Sequence, residues 1–137
     1  MTAEDALPPL LLPPRSPANA PFWDAAAEGR LMLQRRPSTG EVSLDLASPL
    51  APGDEWFEAS GRGVVKSFDI VTPETAPDMP RRQRYVAALI DLAEGPCMPA
   101  NIVGPDALDV AVGDQVRCVF EARGCGVNVP QFVRDKG

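Results

Sequence analysis

The feature that most limits the fold is the division of residues 57–137 into short strand-like segments by glycine and proline. Polar and apolar residues alternate most clearly near the end, where Val116, Cys118 and Phe120 fall on one face of a strand. Five short segments with turn residues between them are typical of a small closed barrel, and their number favours a five-stranded OB-fold barrel. The predicted strands are Val64–Thr72, Tyr85–Leu92, Met98–Val103, Gln115–Glu121 and Val127–Val133.

The beginning of the chain has a different character. Residues 1–20 include Leu7–Pro14, in which four prolines prevent a continuous helix, so we predict an extended or polyproline II arm. Its leucines leave two interpretations open: a loose terminus, or an arm that packs on the barrel or on a partner. Pro21–Gly29 predicts a short helix ending at its glycine, and Arg30–Arg35 predicts a strand.

Between Pro37 and Asp54 the periodicity is weak and turn residues are frequent. We expect a small irregular subdomain here, with Val42, Leu44 and Leu46 supplying an alternating apolar face. The predicted organisation is therefore an arm over residues 1–20, a helix with this subdomain over residues 21–56, and a barrel over residues 57–137.

The absence of histidine restricts the chemistry most strongly. It excludes Ser-His-Asp and Cys-His catalysis and removes the commonest general base near neutral pH. The three cysteines form no C-x-x-C pair. We expect Cys97 and Cys118 to fill strand positions as small apolar residues and Cys125, between two glycines, to be an exposed thiol. No catalytic residue is predicted.

Charge and hydropathy exclude two further classes of protein. The formal net charge of −6 disfavours binding to the phosphate backbone of nucleic acids. No apolar run approaches the roughly 20 residues that cross a bilayer. The start of the chain carries Glu4 and Asp5 and no early basic residue, which is unlike a signal peptide. We expect a cytoplasmic protein that binds neither nucleic acid nor membrane.

The order of these segments resembles the acyl-CoA-associated OB-fold proteins known as domain of unknown function 35. The resemblance implies a mainly β fold with an N-terminal helix, a rubredoxin-like zinc ribbon and a C-terminal OB barrel. It covers nearly everything after residue 20. The matching segments are Pro21–Arg35, Glu55–Val71, Tyr85–Gly95, Asn101–Gly104, Val110–Glu121 and Val129–Phe132.

The chain departs from this family where the zinc ligands should lie. The first C-x-x-C pair of the family falls on Arg36 and Thr39, followed by Gly40, and the second pair is missing from residues 46–53. A structural zinc ion supplies on the order of 10 kcal/mol of apparent folding free energy. We therefore predict a degenerate, metal-free ribbon ordered mainly by packing of apolar side chains: Val42, Leu44, Leu46 and Leu50.

The resemblance implies a non-catalytic accessory subunit that forms a hetero-oligomer with a thiolase-like, hydratase or aldolase enzyme acting on acyl-CoA thioesters. No cofactor is implied beyond the CoA thioester itself. Its phosphates would need arginine or lysine, although each candidate also fits a solvated surface charge. The candidates are Arg35, Arg36, Arg62, Lys66, Arg81, Arg82 and Arg84.

Arg62 is flanked by Gly61 and Gly63. These glycines fit either close approach of a ligand to the backbone or a tight bend that begins a barrel strand. Three other functions stay open: a stand-alone acyl-CoA-binding or small thioesterase-type protein, a single-stranded nucleic-acid-binding module, and a structural protein without a link to CoA.

Overall fold

The computed structural model describes residues 14–72, 84–122 and 128–135. It confirms the mainly β fold class, since the described part holds one short α-helix and eight strands. The elements are α1 (Ala20–Ala27), β1 (Met32–Arg36), β2 (Glu41–Ser43), β3 (Glu55–Glu58), β4 (Arg62–Val71), β5 (Tyr85–Leu92), β6 (Cys97–Ile102), β7 (Gln115–Ala122) and β8 (Asn128–Arg134), with a 3-10 turn at Ala107–Asp109.

The last five strands close into a barrel in the order β4-β5-β6-β8-β7. Every pair is antiparallel except β6 with β8, which run parallel where Ile102 meets Phe132. This is the five-stranded OB-fold barrel that the sequence predicts. The predicted strands agree with the observed ones to within one or two residues at each end.

The barrel interior is apolar because alternate residues of each strand point inward. Val116 is buried, and Cys118 and Phe120 on the same face of β7 pack against the core, as predicted. Several of the interior side chains have 1% or less of their surface exposed: Val65, Val86, Ile90, Met98, Val116 and Phe132.

Gly61 and Gly63 serve the closure of this barrel. Gly61 has a φ of +80°, which glycine adopts without strain as the chain turns into β4. At Gly63 the constraint is space, since an added Cβ would lie 2.5 Å from Ile90 Cγ2 and 2.9 Å from the Asp91 carbonyl oxygen. The strand β4 therefore approaches β5 closely here, and the tight-bend interpretation of the two glycines fits the structure.

A second, smaller sheet precedes the barrel. Its strands lie in the order β2-β1-β3, all antiparallel, and we call this sheet with its connecting turns the ribbon. The ribbon ends with β3 at Glu58, and the barrel begins at Arg62. Val42 and Leu44 pack against the core and Leu46 is buried, so the predicted packing of these three residues is confirmed. Leu50 is half-buried.

The helix α1 joins the ribbon to the barrel by packing against β1 and β8. Phe22 and Trp23 anchor it, with 1% and 6% of their surface exposed. At its C-terminal end, the side-chain amide of Asn128 on β8 lies 3.4 Å from both the Ala26 and the Ala27 carbonyl oxygens. Because an eight-residue helix is marginal alone, these contacts hold it in place.

Two buried amides fix the irregular segment of the ribbon. Asn19 is fully buried, and its Nδ2 donates to the carbonyl oxygens of Leu46 at 3.0 Å and Pro14 at 3.1 Å. Gln34 on β1 donates through Nε2 to the Asp45 carbonyl at 3.2 Å and accepts from the Asp45 N–H at 3.1 Å. The segment is thus held by polar contacts as well as by packing.

Some predicted features lie outside the described residues, among them residues 7–13 of the proline-rich segment, Arg81, Arg82 and Cys125. Within the described ranges, no helix combines the length and apolar character needed to cross a bilayer.

Candidate functional site

The two sides of the barrel differ in how they are covered. On the side of β8, α1 lies against the barrel, and the outward-facing Val129 and Gln131 are each 1% exposed. On the side of β4, β5 and β6, opposed residues share a face, so that Val65, Ile90 and Met98 all point inward. Their strand neighbours point outward and form what we call the outer face: Val64, Ser67, Asp69, Ala87, Leu89, Asp91, Cys97 and Pro99.

The outer face is largely open to solvent although its centre is apolar. Leu89 is 41% exposed and Val64 39% exposed, and Ala87 and Pro99 lie beside Leu89 half-buried. A strand that faces water on one side normally alternates apolar and polar residues. Here β5 carries apolar side chains on both sides, which is typical of a strand whose outward side is covered in an assembly.

Two depressions give this face its shape. One, of about 340 Å³, is lined by residues that include Ser67, Asp69, Leu89 and Pro99. The other, of about 480 Å³, lies towards the start of β4 and is lined by residues that include Arg62, Val64, Asp91 and Asp135. The first is mainly apolar and the second mixes carboxylates with a guanidinium group, so the face offers both kinds of contact.

A polar cluster sits between the strands of the outer face. The Cys97 thiol donates to Asp91 Oδ1 at 2.8 Å, and Lys66 Nζ lies 3.6 Å from the same sulfur. The hydrogen bond to Asp91 and then burial raise the pKa of the Cys97 thiol, while Lys66 opposes this rise. The thiol therefore stays protonated near neutral pH and is a poor nucleophile. The expectation that Cys97 fills an apolar position is wrong, because this side chain is exposed.

Cys118 is the second thiol in the described part of the chain. It is half-buried and packs against the barrel core, where it fills a strand position as expected. Burial raises its pKa to about 12. At neutral pH it carries no thiolate that could attack a thioester.

The two arginines on β1 already have acidic partners. Arg35 Nη2 lies 2.7 Å from Glu55 Oε1, and its guanidinium group stacks 4.8 Å from the centre of the Phe57 ring. Arg36 Nε lies 3.0 Å from Asp54 Oδ1. A CoA phosphate would have to compete with these carboxylates.

The remaining candidates for CoA phosphates are spread over the barrel. Arg62 lies 3.2 Å from Asp135 Oδ2, and Lys66 belongs to the cluster with Cys97. Arg84 is exposed and precedes β5, which pairs with the far end of β4. The two ends of β4, Arg62 and Val71, are nine residue steps apart, which is about 30 Å along a strand. The described candidates therefore do not converge on one site, and their binding to CoA stays a prediction.

The donor atoms of the ribbon do not match those of a zinc site. Arg36 brings a positive charge to the first ligand position, and the Thr39 hydroxyl accepts a hydrogen bond from the Glu41 N–H at 3.2 Å. Among the described residues, no three histidine, cysteine, aspartate or glutamate side chains are grouped where they could hold a metal ion. Because structural zinc sites use four cysteine or histidine ligands, the residues present do not fit zinc.

The outer face was missed in the sequence analysis, although one signal could have found it. The predicted strand Tyr85–Leu92 is apolar at nearly every position. This pattern differs from the alternation of a half-exposed strand and predicts burial on both sides. The barrel core covers the inward-facing half of this pattern, and among the described residues the outward-facing Leu89 stays 41% exposed. The sequence of the strand Tyr85–Leu92 is YVAALIDL.

Comparison with known proteins supports the fold and its family resemblance. Residues 56–121 match the family model described as the C-terminal OB-fold domain of ChsH2. The structure superimposes on a chain of the Ltp2-ChsH2(DUF35) aldolase with a TM-score of 0.72 and 25% identity, covering 90% of this chain and 98% of that one. A DUF35-family protein from Sulfolobus solfataricus shares the fold, with a TM-score of 0.56, 14% identity and coverage of 88% and 87%.

Two curated relatives are similar in sequence. The 3-oxo-4,17-pregnadiene-20-carboxyl-CoA hydratase alpha subunit of Mycobacterium tuberculosis is 32% identical over 119 residues, and the match covers 81% of this chain and 36% of that protein. The probable enoyl-CoA hydratase alpha subunit of Thermomonospora curvata is 31% identical over 115 residues, and the match covers 76% of this chain and 35% of that protein. The chain thus spans about a third of each relative, and the predicted resemblance to the acyl-CoA-associated OB-fold proteins is confirmed.

Proposed function

From a barrel that matches the C-terminal OB-fold domain of ChsH2, we propose that this protein is a non-catalytic accessory subunit of an acyl-CoA hydratase or aldolase. The names of its relatives favour these two enzyme classes. A thiolase-like partner is the other class that the family resemblance implies. The chain would support the partner that carries out the reaction on the CoA thioester.

The observation that carries this proposal is the uncovered outer face. Leu89 stands at its centre with 41% of its surface exposed, in a strand that is apolar on both sides. An exposed apolar centre rimmed by polar residues marks a protein interaction surface. Asp69 and Asp91 provide acidic groups at the rim. We therefore expect the partner to present an apolar patch with basic residues placed to face these carboxylates.

The supply of reactive groups also supports an accessory role. The chain contains no histidine, and the pKa values of Cys97 and Cys118 are both raised. A small thioesterase would need an activated nucleophile or a general base. The two described thiols do not meet this need, which supports assigning the chemistry on the thioester to the partner.

The outer face is also a poor fit for single-stranded nucleic acid. Nucleic-acid-binding OB folds use a basic groove in which aromatic side chains stack on bases. The basic residue Lys66 shares this region with the acidic Asp69 and Asp91, and the exposed side chain at the centre of the outer face is the aliphatic Leu89. The acidic rim repels phosphates, and the net charge of −6 acts in the same direction.

The test is co-expression with acyl-CoA hydratase and aldolase subunits encoded in the same genome. We expect the two chains to elute together from size exclusion and the partner to turn over its CoA thioester faster in the complex than alone. The variant Leu89→Asp should raise the dissociation constant about tenfold or more, because it puts a charge at the centre of the interface.

Val112→Asp is the matched control, since Val112 is 65% exposed but lies in the turn before β7 and is not one of the outer-face residues. It should leave binding within about twofold. Separate elution of a fully active partner would overturn the proposal. Turnover of a thioester by the isolated chain would overturn its non-catalytic part.

A further inference from the structure

The two turns of the ribbon that should carry zinc ligands are both well formed. In the first, the N–H groups of Thr39 and Gly40 donate to the Arg36 carbonyl oxygen at 3.1 and 2.7 Å, and Gly40 has a φ of +75°. In the second, the Asp54 N–H donates to the Ala51 carbonyl oxygen at 3.0 Å. The backbone of the ribbon therefore persists without ligands that fit a metal.

A bidentate ion pair joins these two turns. Arg36 Nε donates to Asp54 Oδ1 at 3.0 Å, and Arg36 Nη2 donates to Asp54 Oδ2 at 3.3 Å. The Asp54 side chain is only 14% exposed. Two parallel hydrogen bonds between a planar guanidinium group and a carboxylate fix direction as well as distance, so the pair holds the turns in one arrangement.

The Arg36–Asp54 pair lies close to the positions where the family resemblance places the zinc ligands. Arg36 occupies the first ligand position of the zinc ribbon that the family resemblance implies, and Asp54 directly follows residues 46–53, where the second cysteine pair should lie. One step along the sheet, Arg35 pairs with Glu55, which is its partner in the register of β1 with β3. Two successive arginines thus meet two successive acids across the ribbon.

We propose that the Arg36–Asp54 ion pair takes the place of zinc as the cross-link between the two turns, so that the ribbon is insensitive to chelators and sensitive to salt. Because the Arg36 side chain is 49% exposed, the ion pair contributes far less free energy than a zinc ion. Global folding therefore rests on packing and on the amide contacts of Asn19 and Gln34, and the ion pair governs local opening of the turns.

The test is amide hydrogen exchange of the full chain, followed at residues 36–41 and 51–55 and in the barrel. Asp54→Asn and Arg36→Gln should each speed exchange in both turns about two- to fivefold, the range for an exposed pair. The double variant should add little to either single change, because both remove the same contact. Reversing the pair with Arg36→Glu and Asp54→Arg should restore part of the protection.

Glu28→Gln is the control, since it removes a 2.6 Å ion pair with Arg30 outside the two turns and should leave their exchange unchanged. Salt at 1 M, where the Debye length is about 3 Å, should act like Asp54→Asn. Incubation with EDTA should have no effect. Three results would each overturn the proposal: one zinc per purified chain, faster exchange after EDTA, or single variants that exchange like the wild type. Exchange of the barrel amides reports separately on global folding.

Discussion

The barrel and the ribbon are both small antiparallel β structures, but they are stabilised in different ways. In the barrel, β4 pairs with β5 from Gly63 to Val71 and with β7 on its other edge, and the closed ring surrounds an apolar interior. In the ribbon, the strands have three to five residues and the connecting segments rely on buried amides and ion pairs. Closure lets backbone pairing and packing reinforce each other, whereas an open sheet of this size depends on individual side chains.

This comparison predicts two units of different stability within one chain. Substitutions in the barrel should lower the free energy of unfolding of the whole protein. Substitutions in the ribbon should mainly increase local opening, because the barrel core does not require the ribbon turns.

The largest effect is expected for Phe132→Ala in the barrel. Phe132 is fully buried where the parallel pair β6–β8 meets, and removing a buried phenylalanine costs about 3–5 kcal/mol through lost burial and the cavity left behind. Urea unfolding should show one transition at a lower midpoint, with barrel and ribbon lost together. If Phe132→Ala unfolded the ribbon and left the barrel folded, the stability of the whole chain would not depend on the barrel as proposed.

A smaller effect is expected for Asn19→Ala, which removes a contact between the start of α1 and the ribbon. This change leaves the Leu46 carbonyl oxygen without its buried donor at 3.0 Å, at a cost of about 1–3 kcal/mol. Hydrogen exchange should rise in the segment around Leu46 and in the start of α1, and barrel amides should keep their protection. Asn128→Ala, which removes two contacts of 3.4 Å, is the control and should change less.

The smallest effect on stability is expected for Asp114→Asn, which removes the charge from a polar contact within the barrel. Asp114 Oδ2 accepts from the Ala111 N–H at 2.9 Å and from Arg134 Nε at 3.0 Å. The backbone hydrogen bond first, and then Arg134, lower the pKa of this carboxyl group below 3.8.

Because the folded-state pKa lies below the unfolded one, the carboxylate stabilises the fold above about pH 4 and this contribution is lost as the pH falls through the lowered value. Thermal unfolding of wild type and Asp114→Asn should therefore differ modestly at pH 7 and converge as the pH falls through the lowered pKa of Asp114. A constant difference across this range would assign the effect to something other than the charge.

The sequence predicted the barrel well because its signals are local. Turn residues and alternation set the five strands to within one or two residues, and Val116, Cys118 and Phe120 lie on the predicted face. The ribbon was predicted less completely. Its apolar contacts through Leu46 followed from alternation, but the contacts of Asn19 with Leu46 join residues far apart in the chain, and no local pattern indicates such pairs.

The candidate site shows the same limit. The sequence identified seven basic residues by type, yet three of the described ones pair with nearby carboxylates through contacts that only the fold brings together. The outer face was within reach of sequence analysis, because the doubly apolar pattern of β5 is local. Cys97 was misplaced because residue type alone favours burial, whereas its position at the start of β6 leaves it exposed.

The contact at Gly63 has a consequence for how this chain can vary. The space that any side chain would need is filled by Ile90 and by the backbone of Asp91. Backbone cannot retreat as a flexible side chain can, so even alanine would push β4 away from β5. In a saturation library selected for folded protein, position 63 should tolerate no replacement. Gly113 has nothing within 4 Å of an added Cβ, so space does not limit substitution there. Only its φ of +93° restricts the choice, and this position should at least accept asparagine.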